Sequence, residues 1–146
     1  MKPTLDYPPV WLIAFMGLAW GIAQVHAPFG DTLLWPGRLL IGAGIALAIW
    51  AALAFRHART TIVPHAPPKA LVDTGPFRYS RNPIYLADLV ILAGWCVSLG
   101  APLGLPLILP FWWVLTRRFI EPEEARLTKH LGTPYVEFCE RVRRWL

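Results

Sequence analysis

Two uncharged apolar stretches open the chain, Pro9 to Val25 and Leu39 to Phe55, and a third runs from Leu89 to Thr116. The first two lie at the short end of the roughly 17 to 25 residues that cross a bilayer as a helix. Lys2 precedes the first, as in a signal sequence, but Gln24-Val25-His26-Ala27-Pro28 is a poor small-residue cleavage site, so a retained helix is expected. Counted from Pro83, the third stretch is about twice the minimum for one span. Its centre, Gly100-Ala101-Pro102-Leu103-Gly104-Leu105-Pro106, is dense in helix breakers. The pattern predicts a tight helical hairpin there and four short spans in all.

Beyond the spans the pattern changes. Pro122 suits the first turn of a helix and Glu123 and Glu124 suit its positive end, while Gly132 and Pro134 stop it after Leu131. Tyr135, Phe138, Cys139, Val142, Trp145 and Leu146 then recur at helical spacing, opposite Glu137, Glu140, Arg141, Arg143 and Arg144. This predicts an amphipathic helix to the C-terminus, lying on the membrane surface or against the protein. Between Arg56 and Asn82, by contrast, Pro64, Pro67, Pro68, Gly75 and Pro76 preclude one helix. So long a connection in a small protein suggests a functional loop, with Thr60, Thr61 and His65 as candidates to face a site.

Composition strengthens the membrane reading. With 55% apolar residues and eight tryptophans in 146, the chain has more apolar surface than one small soluble core hides. Arg56, Arg59, Lys69, Arg78 and Arg81 follow the second span, and seven further Lys and Arg from Arg117 to Arg144 follow the fourth. Cytoplasmic segments carry such an excess, so both regions belong on one side, and the hairpin returns the chain to it. The net charge of +5 is accounted for by topology and attraction to anionic headgroups, without nucleic-acid binding. Cys96 and Cys139, like His26, His57, His65 and His130, lack metal-site spacing.

The expected fold is therefore all-α and integral to the membrane: about four transmembrane helices, a cytoplasmic loop and C-terminal helices. It is expected as one membrane domain over 1–146, with two N-terminal spans (1–55) and a core from 56 to 146. This topology puts both termini in the cytoplasm and leaves outer loops near 26–37 and 100–105.

Candidate chemistry gathers at the inner ends of the spans. Arg78, Tyr79, Arg81, Asn82 and Tyr85 surround the start of the third span, where single arginines and tyrosines commonly serve as headgroup anchors. Glu123 and Glu124 lie just beyond the fourth, and the hairpin brings them to the same side. Arginine binds carboxylate through a two-pronged fork and glutamate accepts from ammonium or hydroxyl groups, so the set suits a zwitterion such as an amino-acid-bearing nucleotide. Asp88, about one turn inside a span, is costly there; a loop arginine is its expected partner, with a base toward substrate as the other role.

The run Leu71-Val72-Asp73-Thr74-Gly75-Pro76-Phe77-Arg78-Tyr79-Ser80-Arg81-Asn82-Pro83-Ile84-Tyr85-Leu86, with Glu123-Glu124 and Leu131-Gly132-Thr133-Pro134-Tyr135, resembles the isoprenylcysteine carboxyl methyltransferase and phospholipid methyltransferase superfamily. The resemblance covers roughly residues 60 to 146. It implies an integral membrane methyltransferase that uses S-adenosylmethionine, with Arg81 as the catalytically important residue. The implied cofactor site comprises Tyr79, Arg81, Asn82, Pro83, Tyr85, Glu123 and Glu124. Asn82 stands where many members have histidine, which excludes a proton shuttle at that position.

The implied acceptor is lipophilic, or a small carboxylate, thiol or amine, and membrane lipids are the expected surroundings. Two other classes fit some of the same residues. One is an NAD(P)H-dependent reductase related to sterol reductases, in which Arg117, Arg118 and Arg126 would meet a 2′-phosphate. The other is a non-enzymatic lipid-binding membrane protein.

Overall fold

The computed structural model describes residues 6–58 and 71–146. Thr60, Thr61 and His65, together with Arg59 and Lys69, lie outside the described residues. The protein is all-helical, with no strand among the described residues. Three helices are long and apolar enough to cross a membrane, covering Pro8–Val25, Gly30–His57 and Pro102–Leu131, and Pro83–Ser98 is a shorter apolar helix.

Helix α1 (Pro8–Val25) starts on two prolines, whose fixed φ suits a first helical turn. Helix α2 (Leu34–His57) begins five residues before the uncharged run and includes Arg38, whose guanidinium lies 5.4 Å from the Trp35 ring centroid. The loop expected over 26–37 is accordingly shorter. Ile13, Leu18, Trp20, Leu39, Ile45 and Ile49 are exposed on these two helices, as apolar faces toward lipid would be.

Helix α3 (Pro83–Ser98) packs on α2 more extensively than any other two elements meet among the described residues. Gly37, Gly44 and Ala51 repeat every seven residues along α2, and Ala87 and Gly94 do so along α3. A Cβ on Gly94 would stand 2.7 Å from the Ile41 backbone nitrogen and 2.8 Å from the Gly37 carbonyl. Small residues let the two backbones approach, so dispersion rather than water release holds them. On the other face of α3, Phe15, Ala19, Leu92, Cys96, Phe111, Leu115 and Phe119 form a core with α1 and the fourth helix.

The hairpin is tighter than predicted. Only the residues around Gly100 and Ala101 turn, with Gly100 at φ +64°, and its carbonyl accepts from Phe29 N–H at 3.4 Å. The segment between α1 and α2 thus touches the turn after α3. Pro102, Gly104 and Pro106 do not stay in a loop: they form the 3-10 turn Pro102–Leu107 that opens a helix, since proline lacks only a donor the first turn leaves unused.

From there one rod runs to Leu131. Helix α4 (Ile108–Val114) passes through a π-helical turn, Leu115–Ile120, into α5 (Glu121–Leu131). The tail helix expected to start afresh near Pro122 is therefore a continuation of the fourth span. Pro122 has no N–H to give to a carbonyl one turn back, and the widened turn, in which Glu121 N–H reaches Thr116 O, absorbs that defect. Gly132, at φ +61°, ends α5 as expected.

The final helix is shorter than its periodicity suggests. Helix α6 covers Thr133–Arg141, and Val142 is already extended at φ −121°, ψ 128°. The carbonyls of Arg143 and Arg144 are turned instead onto the loop at Ser80–Asn82. Tyr135, Phe138 and Val142 still bury, against Ala51, Ala54, Val72 and Phe77.

Candidate functional site

The segment before α3 folds as a 3-10 turn, Gly75–Arg78, whose Pro76 and Phe77 are buried. Gly75 takes φ +59°, and a Cβ there would meet the Trp50 indole at 3.2 Å, so a side chain would be strained. Ser80 then accepts from Asn82 N–H at 3.1 Å. Its hydroxyl and the Asn82 amide both donate to the Arg144 carbonyl, at 3.4 and 3.0 Å, and Arg81 N–H donates to the Arg143 carbonyl at 2.9 Å. The extended C-terminal segment is thus laced to the loop by its backbone.

Arg81 and Glu124 meet, as the hairpin requires. Arg81 Nη1 lies 3.2 Å from Glu124 Oε1, each side chain 16% exposed. Arg144 grips the same carboxylate with a fork, Nε to Oε1 at 3.1 Å and Nη2 to Oε2 at 2.6 Å. That contact holds the Arg144 guanidinium even more firmly protonated than usual. Arg81 Nη1 also donates to Cys139 Sγ at 2.8 Å. Burial, followed by the neighbouring Cys139, pushes the Tyr135 phenol above its ordinary range, so it stays neutral beside this cluster.

A cavity of about 330 Å³ opens beside the cluster. Arg81, Asn82, Tyr85, Asp88 and Glu123 supply its polar lining; Tyr7, Pro8, Pro9, Phe55, Phe77 and Ile84 supply the rest. Tyr85 donates to Glu123 Oε2 at 3.0 Å and stacks on Phe119, whose place is set by the π turn. Arg81 Nε is buried and has no hydrogen-bond partner among the described residues. A buried guanidinium N–H without an acceptor is costly unless a ligand supplies one.

The predicted residues therefore divide. Arg81, Asn82, Tyr85 and Glu123 face the cavity, and Glu124 stands behind Arg81. Pro83 is fully buried at the first turn of α3, and Tyr79 is 66% exposed and does not line the cavity. Asp88 does line it; among the described residues no arginine pairs with it, and Arg59, another of the loop arginines expected as partners, lies outside them. The loop arginine that shares the cavity, Arg81, has its Nη1 held by Glu124 instead.

Several contributors have no clear signal in the sequence. Periodicity assigns Arg144 to the polar face of a helix, and nothing in that spacing points to a fork onto Glu124. The start of α1 reaches the cavity through Tyr7–Pro9 because Asp6 is clasped by Arg118, at 3.0 and 3.1 Å. Arg117 pairs with Glu121 at 3.2 Å. Arg117, Arg118 and Arg126, considered above for a 2′-phosphate, are not among the residues that line the cavity.

Fold and site define an integral membrane protein with an ion-paired pocket where its apolar helices end. The sequence model of the phospholipid methyltransferase family matches residues 32–133, more than half of the chain, and the protein belongs to that family. Methyl transfer is the general kind of activity this membership implies. The match starts well before the region of resemblance read from the motifs, taking in all of α2, and ends at the start of α6. No curated protein matches the chain.

Proposed function

We propose that this protein transfers a methyl group from S-adenosylmethionine to a lipophilic or small acceptor that reaches the cavity from the bilayer. The observation that carries the reading is the largely buried Arg81, ion-paired to Glu124 and lining, with Asn82, Tyr85 and Glu123, a largely apolar cavity.

The donor set fits a zwitterionic nucleoside. Arg81 offers a cation for the carboxylate, Asn82 an amide, and Glu123 and Tyr85 a paired acceptor and hydroxyl for ammonium or ribose groups. When bound, the cofactor supplies a methyl group already activated on a sulfonium. The remaining work is alignment and exclusion of water, where positioning contributes up to about 7 to 11 kcal/mol. Phe55, Phe77 and Ile84 exclude water from the cavity, and the Arg81–Glu124–Arg144 cluster fixes the loop that presents Arg81 and Asn82.

In this reading the pocket faces the cytoplasm, in an inner membrane, with both termini on that side, supported by the Lys and Arg excess of the flanking segments. Arg81 acts as the catalytic residue in the sense of touching the cofactor, and Glu124 acts through Arg81.

The test is calorimetric titration of the purified chain in neutral detergent with S-adenosylmethionine. Arg81→Ala should abolish measurable binding and Glu124→Ala should weaken it at least tenfold. Wild-type affinity in both variants would remove the site assignment. Protection from thermal unfolding by NADPH, and not by S-adenosylmethionine, would replace methyl transfer with the reductase reading.

A further inference from the structure

Asp88 is a carboxyl group of the cavity that the cofactor set leaves unused. It projects from α3 one turn beyond Tyr85, on the same face, deeper among the apolar helices than Arg81 or Glu123. It makes no ion pair among the described residues. The other titratable groups lining the cavity are Tyr7 from the N-terminal segment, Arg81 from the loop, Tyr85 on its own helix and Glu123 from α5. Arg81 Nη1 is engaged by Glu124 and Cys139, and Tyr85 by Glu123. Helix α2 contributes Phe55, which carries no charge. A carboxyl group this deep is expensive to keep unless it meets a complementary group.

We infer that Asp88 receives the head group of the methyl acceptor and takes the proton that its nucleophile gives up. The inference rests on the methyl-transfer reading above and deepens it by assigning the acceptor's end of the cavity. The step balances: the nucleophile's X–H bond breaks, with the proton passing to an Asp88 carboxylate oxygen and its electron pair forming the new X–C bond. The electrons of the broken C–S bond neutralise the sulfonium. The proton then leaves to solvent by way of the polar mouth.

This assignment narrows the acceptor class. An amine, which reaches the site as an ammonium, or a thiol arrives carrying the proton that Asp88 can accept. A carboxylate arrives with none, and its charge is repelled by Asp88 in a medium of low dielectric. Acceptors with a carboxylate nucleophile are therefore disfavoured in this chain.

The test uses the full-length protein in neutral detergent, saturated with S-adenosylhomocysteine, and three probes that share one tail: dodecylamine, dodecanethiol and dodecanoate. Calorimetry should give binding of the amine that Asp88→Asn weakens at least tenfold and Asp88→Glu largely restores. Dodecanoate should bind the Asp88→Asn variant more tightly than wild type. Turnover with radiolabelled methyl donor should follow the same order, with the Asp88→Asn defect shrinking as pH rises and the nucleophile deprotonates by itself. Equal probe affinities in wild type and Asp88→Asn, absence of amine binding, or preferred methylation of dodecanoate each overturn the assignment. The methyl-transfer reading fails separately, if the wild-type chain binds no S-adenosylmethionine.

Discussion

The apolar helices and the polar end of this molecule are held together in different ways. Between α2 and α3 the contact is steric: glycines and alanines at seven-residue spacing bring two backbones together. At the other end the loop before α3, the rod of α4 and α5, and the extended C-terminal segment are joined by charge and by backbone hydrogen bonds. Arg81, Glu124 and Arg144, far apart in sequence, share one cluster. The first region leaves no room for added volume at its seam, whereas the second depends on each partner of its ion-paired cluster. The cavity lies where the two meet, with Arg81 from the loop and Asp88 from α3 both in its lining.

The largest effect should come from volume at the seam. Gly94→Leu places a side chain where even a Cβ meets backbone atoms of α2. The two helices must separate, and the variant should fail to give a monodisperse species in detergent gel filtration. A well-behaved Gly94→Leu protein with wild-type melting would show that the seam is not steric.

Next in size is removal of residues 142–146. This takes away the carbonyls that hold Ser80, Arg81 and Asn82 and the fork on Glu124. Cofactor affinity should fall by about tenfold or more, as one broken network of charge-assisted bonds implies, while far-ultraviolet circular dichroism stays near wild type, because none of those residues is helical. Retained affinity would mean that the loop holds its shape unaided.

Glu124→Gln keeps the shape and removes the charge that Arg81 and Arg144 share. Breaking a largely buried pair costs about 3 kcal/mol, less here because Arg144 is 38% exposed and partly screened. A several-fold fall in cofactor affinity is expected, and Arg144→Lys, which cannot form the two-pronged contact, should lower it in the same direction. The smallest effect belongs to Asp6→Asn. Its partner Arg118 is well exposed, so the melting temperature should drop by no more than about 2 °C, and high salt should abolish the difference.

The order of these effects follows from how each region is written in the chain. Uncharged runs announce α1, α2 and the rod, and Gly100 with its flanking prolines announces the turn between α3 and α4. Even the meeting of Arg81 and Glu124 can be anticipated, since an even number of crossings returns the chain to one side. The end of α6 cannot. Tyr135, Phe138 and Val142 keep helical spacing past the point where the helix stops, and only the loop's demand for the carbonyls of Arg143 and Arg144 explains the break. Asp88 is conspicuous as an acid inside a span, but the loop arginine nearest to hand is spent on Glu124.

What the linear chain determined was the set of segments that prefer hydrocarbon to water, because transfer free energy and helix geometry are local properties. What only the tertiary structure decided was which polar groups face the cavity with bonding capacity to spare. That depends on competition: Glu124 takes both Arg81 and Arg144, Glu123 takes Tyr85, and Asp88 is left in the cavity lining with no ion pair among the described residues. Such competition is settled by distances between segments remote in sequence, which no local pattern records.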